Sequence, residues 1–142
     1  MKYGILMFPT PHPVDVAVVA RQAEALGFDS LWVGEHPIMP VHSTSPFPGS
    51  LDGRIPDSYG WSLDPFVTLA RASAVTMTLK LGTGITLIPE RHPLLLAKEV
   101  ATLDYFSGGR FLFGIGAGWH KEETEIMGGN FHAPLDADAG SH

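Results

Sequence analysis

Four short apolar runs separated by segments of helical spacing constrain this chain more than any other feature. The runs lie at Tyr3–Phe8, Ser30–Gly34, Leu79–Leu87 and Arg110–Gly116. Each has the length of a strand, and most lack strict alternation, which predicts burial on both faces. Between the first two, Val16, Val19, Ala20, Ala23 and Leu26 fall on one helical face, with Pro13 near the start and Gly27 at the stop. Asp64 can cap a second helix that has Pro65 at its first position and Phe66, Leu69, Ala70 and Ser73 as its inner stripe. Pro93 opens a third, with Leu96, Val100 and Leu103 inward and Ser107-Gly108-Gly109 ending it. A fourth, polar helix runs from His120 to Met127. Strand and helix alternating in this way predict an α/β fold with a parallel sheet, either doubly wound or barrel-like.

Two segments break the rhythm. Residues 37–62 hold five prolines and three glycines and read as an excursion loop of the kind that forms lids. Residues 132–142 have no periodicity and read as a disordered tail, which leaves 1–131 as the folded unit. Charge and composition then exclude several function classes. Fifteen Asp+Glu against nine Lys+Arg give a net charge of −6, which argues against a nucleic-acid partner. No apolar stretch is long enough for a membrane span, and Met1–Phe8 is too short for a signal-peptide core. With no cysteine there is no disulfide, thiolate metal site or cysteine nucleophile. The expectation is a cytoplasmic protein acting on a small molecule.

Ligands of parallel α/β folds gather at the C-terminal ends of strands. After the second run stand Glu35 and His36, a carboxylate and an imidazole able to move or steer a proton near neutral pH. The alternative is that Glu35 caps a turn and His36 packs. The third run carries Gly82-Thr83-Gly84-Ile85, and two glycines in a strand suggest a bulge, a surface approached by something flat, or small residues set against large neighbours. Arg91, just beyond, could hold an anion or be a solvated loop charge. The fourth run ends in Gly114-Ile115-Gly116-Ala117-Gly118, whose spacing and position do not match the dinucleotide fingerprint. No serine-hydrolase elbow or Walker loop is present. Glu35, His36, His42, Glu90 and His92 form no metal-ligand motif, so no metal is expected. Glu122-Glu123-Thr124-Glu125 reads as a solvated helix start.

Taken together, several stretches resemble the bacterial luciferase-like monooxygenase superfamily, in particular its coenzyme F420-dependent oxidoreductases. These are Leu26 to His36, Leu81 to Ile85, His92-Pro93 with Ala97-Lys98-Glu99, and Thr102-Leu103-Asp104 through Ser107-Gly108-Gly109-Arg110 to Trp119. The resemblance implies a TIM-type (β/α)8 barrel with a deazaflavin (coenzyme F420), or alternatively FMN, across its mouth. It implies hydride transfer, or oxygen activation by reduced flavin. It places Glu35 and His36 beside the reactive end of the ring, as catalytic residues. Gly82, Thr83, Gly84 and Ile85 would seat the ring, with a non-prolyl cis peptide at Gly84-Ile85, and Gly116, Gly118 and Glu122 would add contacts. A whole barrel needs eight βα units, and this chain supplies about four. The expectation is therefore an N-terminal half or fragment, or a half barrel pairing with a second copy, which as a third reading could self-associate without catalysis.

Overall fold

The computed structural model describes residues 1–11 and 14–132. Pro13 and the tail beyond His132, on which two expectations rest, lie outside those residues. Strands β1 (Gly4–Met7), β2 (Ser30–Val33), β3 (Lys80–Thr83) and β5 (Phe111–Leu112) form one parallel sheet in the order β1-β2-β3-β5. A second parallel pair joins β4 (Thr86–Leu87) to β6 (Ile115–Gly116). In register, Leu31 stands between Ile5 and Leu81.

Each long run expected as one strand is thus two short ones, and a side chain explains the break. The Thr83 hydroxyl donates to the Gly114 carbonyl at 2.8 Å and accepts from the Gly114 amide at 3.1 Å. It replaces backbone partners where the ladder stops, and the Thr86 amide resumes pairing on the same carbonyl at 2.8 Å. The Gly84–Ile85 peptide between β3 and β4 is cis.

The helices start where their caps predict. Asp15 accepts from the Ala17 amide to open α1 (Val16–Ala25), and Asp64 accepts from the Val67 amide to open α2 (Pro65–Ser73). Helix α3 (Pro93–Ser107) begins at its proline and closes on Gly108 at φ 68°. Helix α4 (Lys121–Ile126) is capped by His120.

Helices α1, α2 and α3 all contribute to one core with Leu31, Val33 and Leu81, through Ala20, Ala23, Leu69, Ala72, Leu96 and Leu103. Helices on a single face favour the barrel-type arrangement over the doubly wound one. Two expected core residues turn outward. Leu26 is the cap residue of α1 and 73% exposed, and Ala70 is exposed because the buried face of α2 runs through Leu69, Ala72 and Ser73. Strand β1, expected to be buried on both sides, alternates instead, because it is an edge and Leu6 stands 68% exposed on the open face.

On that open face Trp32 occupies the floor. A Cβ at Gly82 would overlap its indole, one at Gly4 would come within 3.1 Å of Nε1, and Nε1 donates to Ser30 Oγ at 2.9 Å. Beneath the strands, Arg110 acts as a staple. Its guanidinium donates to the carbonyls of Ser73, Thr76 and Leu79 and its Nε to the carbonyl of Ser107 at 2.6 Å. These carbonyls belong to the end of α2, the turn after it and the end of α3, so one side chain satisfies groups that would otherwise lack partners. Arg110→Met is expected to cost about 3 kcal/mol of unfolding free energy in urea denaturation, since bonds to a charged donor are worth ~1.5–3 kcal/mol each and only part of the set is buried.

Candidate active site

The ends of β2, β4 and β6 open on one cavity of about 600 Å³. Its walls include Leu6, Phe8, His36, Tyr59, Ile85 and Trp119. His36 is buried, and its Nδ1 lies 2.6 Å from Glu123 Oε2, with Glu123 fully buried. An ionised carboxylate only accepts, so Nδ1 carries the proton and Nε2 is left as the open ring nitrogen, with no protein partner among the described residues. This arrangement can take up a proton at Nε2 while the carboxylate supports the cation that forms.

The same turn of α4 also holds the loop. Glu122 accepts from the Thr44 amide and hydroxyl, both at 2.7 Å, from Ser45 Oγ at 2.6 Å and from Ser43 Oγ at 3.3 Å. These contacts hold its carboxyl well below the usual range, the Ser45 hydroxyl contributing most. His120 completes the joint. Its Nδ1 accepts from the Glu123 amide at 3.2 Å, so Nε2 carries the proton toward Ser43 Oγ at 2.7 Å. Burial keeps this imidazole neutral by pushing its pKa down. Adjacent residues on a helix point about 100° apart, so neighbours can grip different partners. The solvated start expected for Glu122 to Glu125 is therefore corrected at its first three residues, Thr124 being fully buried, and only Glu125 is exposed.

Glu35 is equally committed. Its carboxylate accepts from the Leu87 amide at 2.7 Å and from Arg91 Nε at 2.6 Å, with a second, shorter contact to Arg91 Nη2. Burial pushes its carboxyl above the usual range, opposed by Arg91 and the Leu87 amide. Arg91 is not a solvated loop charge. Its side chain is only 14% exposed, pairs also with Asp64 at 3.0 Å and Glu99 at 2.9 Å, and lies 4.9 Å from the centre of the Phe66 ring. Of the residues expected to seat a ring, Gly84, Ile85 and Gly118 line the cavity. The others face elsewhere. Gly82 makes room for Trp32, Gly116 makes room for the Ile85 side chain, and Thr83 is fully buried on Gly114. Among the described residues, Glu35, His36, His42, Glu90 and His92 form no metal-binding group.

Sequence reasoning missed Glu123 and Glu90. The signal available for Glu123 was its place three residues after the cap of a helix that follows a strand end. Glu90 is buried with Oε1 accepting from Thr124 Oγ1 at 2.8 Å, and Oε2 has no partner. Burial, reinforced by Glu123, raises it to about 8.

The sequence profile of the family described as luciferase-like monooxygenase matches residues 1–137. The chain belongs to this luciferase-like family. An uncharacterised protein of Mycobacterium tuberculosis is 41% identical over 124 residues, covering 87% of this chain and 44% of that protein. The 5,10-methylenetetrahydromethanopterin reductase of Methanopyrus kandleri is 31% identical over 90% of this chain and 30% of its own length. A structure of coenzyme F420-dependent tetrahydromethanopterin reductase from the same organism superposes with a TM-score of 0.64 over 89% of this chain and 30% of that one, at 31% identity. The oxygenating constituent of 3,6-diketocamphane monooxygenase from Pseudomonas putida, in complex with FMN, superposes with a TM-score of 0.65 at 25% identity, over 90% of this chain and 32% of that one. The chain thus spans less than half of these luciferase-like relatives and forms part of a barrel. Among the described residues no helix is long and apolar enough to cross a membrane.

Two measurements check the site. Because Glu90 is raised in the folded state, its contribution is full below the unfolded carboxyl value and is lost as pH rises through about 8. Glu90→Gln is expected to flatten that loss in thermal melts taken between pH 5 and 9. Glu122→Ala is expected to speed tryptic cleavage after Arg54 about tenfold, because losing hydrogen bonds worth ~1 kcal/mol or more populates the open loop.

Proposed function

We propose that this chain is the His36-bearing half of a coenzyme F420-dependent oxidoreductase that exchanges a hydride with an organic substrate. The observation that carries the proposal is His36, which lines the cavity and is held by Glu123 through Nδ1, leaving Nε2 unpartnered among the described residues. A flat ring fits the residues present. Ile85 is 39% exposed at the bulge, its side chain drawn over Gly116, and Gly84 adds no side chain to the wall. When bound, the deazaflavin supplies the hydride chemistry. The protein's own part is positioning and proton handling. Ile85, Gly84 and Gly118 would bear against the ring. His36 Nε2 would take the proton that a substrate hydroxyl loses as its carbon is oxidised, with Glu123 stabilising the imidazolium. Glu35 serves in this reading as a brace through Arg91 and Leu87 rather than as a proton carrier.

Similarity to the F420-dependent reductase supports this cofactor. FMN-dependent monooxygenation is the second reading, supported by the likeness to the FMN complex of the diketocamphane enzyme. Parallel fluorescence titrations of the chain with coenzyme F420 and with FMN separate the two. Saturable F420 binding is expected, weakened at least tenfold by Ile85→Glu, which sets a charge against the ring. Binding of FMN alone would assign the monooxygenase reading, and binding of neither ring would remove the proposal from this chain.

A further inference from the structure

Five rings form a continuous cluster on the loop side of the cavity. Phe8 stacks on Tyr59 with centroids 4.3 Å apart, and Phe47 meets Tyr59 at 5.1 Å and Trp119 at 5.5 Å, edge to face. His36 lies 5.1 Å from Tyr59 and 5.6 Å from Trp119. The two loop rings are held in place at both ends of the loop. Ser62 Oγ donates to the His36 carbonyl at 2.8 Å, the Leu63 amide to the Pro9 carbonyl at 2.9 Å, and Glu122 fixes residues 43–45. The aromatic wall is thus built by the fold and does not depend on a ligand to assemble it.

Among the described residues, no lysine or arginine lines this wall. Glu35, His36 and Tyr59 are the titratable groups of the lining among the described residues, and the Glu35 carboxylate is already bound by Arg91 and the Leu87 amide. Arg91, behind it, is taken by three carboxylates. Lys121 is paired with Glu125 at 3.8 Å. A charged group placed here would lose its hydration without a partner, at a cost that aromatic contact does not return. Nor, among the described residues, is a carboxylate of the wall free for a cation, since Glu35 is held by Arg91 and the Leu87 amide and Glu123 by His36.

We infer that the portion of the substrate lying under the 37–62 loop is uncharged, planar and apolar, held by Tyr59 and Trp119 with Phe47 supporting both. Its polar, reacting end is directed to His36 Nε2, the ring nitrogen that Glu123 leaves unpartnered. The inference rests on the oxidoreductase reading for why a substrate binds here, and assigns its class from the wall alone.

Three naphthalenes and one saturated bicycle test it by calorimetric titration of the chain: 2-naphthol, 2-naphthalenesulfonate, 2-naphthylmethylammonium and the non-planar decahydro-2-naphthol. 2-Naphthol is expected to bind at least tenfold more tightly than either ion and several-fold more tightly than the saturated ring. Tyr59→Ala and Phe47→Ala are expected to weaken it at least tenfold, and Tyr59→Phe to leave it within threefold, which separates ring contact from loss of fold. Equal or tighter binding of either ion, or indifference to Tyr59→Ala in a variant with an unchanged melting curve, would overturn the inference. Repeating the titration with coenzyme F420 or FMN present keeps the two readings apart. A ring that binds while 2-naphthol does not would overturn the substrate class alone. Tyr59-dependent 2-naphthol binding without affinity for either ring would support the wall's selectivity and defeat the cofactor assignment.

Discussion

Arg91 is the point on which the upper end of this structure depends. One largely buried guanidinium meets Glu35 from the end of β2, Asp64 from the cap of α2 and Glu99 from α3, and lies against Phe66. Three elements distant in sequence are thereby fixed at one place. The planar fork suits this use better than an ammonium would, because its donors leave in set directions. Burying an ionised carboxylate is costly unless it is met by charge and hydrogen bonds together, and Glu35 has both. With Glu35 so held, the backbone at His36 has a fixed origin, and the imidazole can be aimed by Glu123 from the opposite side.

The site is therefore supported from two directions that the chain brings together late. Glu35 and Arg91 brace it from the helix side, while His120, Glu122 and Glu123 clamp it from the turn after β6. Each carboxylate has separate work: one holds structure, one holds the loop, one orients the imidazole. Glu90 is the exception, a buried acid with an unpartnered oxygen beside two other carboxyls. Its neutral form at ordinary pH lets Glu123 and Glu35 coexist with it in so little space.

Much of the fold was legible because it rests on local rules. The cap at Asp64, the opening proline at Pro93, the stop at Gly108 and the four apolar runs need only near neighbours to be understood. What escaped depends on distant partners. Nothing near Thr83 in the sequence shows that its hydroxyl would interrupt a strand by binding Gly114. At Gly82 the alternative of a small residue set against a large neighbour holds, with Trp32 as that neighbour, and at Gly116 the Ile85 side chain takes the space expected for a ligand contact. Arg91 and Glu123 looked like solvated charges because sequence alone does not show that three carboxylates, or one imidazole, wait for them. His36 and Ile85 line the cavity, as expected from strand ends being where parallel folds place ligands, a rule of topology rather than of neighbours.

The adjacency of Glu122 and Glu123 has a consequence for how such a protein can diverge. Two side chains set one residue apart grip two different partners, so inserting or deleting a single residue between Gly118 and Glu122 would rotate both away at once. Residues 49–54 at the outer turn of the 37–62 loop, by contrast, hydrogen-bond only within residues 47–54 among the described residues. Length variation in descendants of this sequence should therefore gather in that outer loop, leaving the junction into α4 a fixed ruler against which new loops are tried.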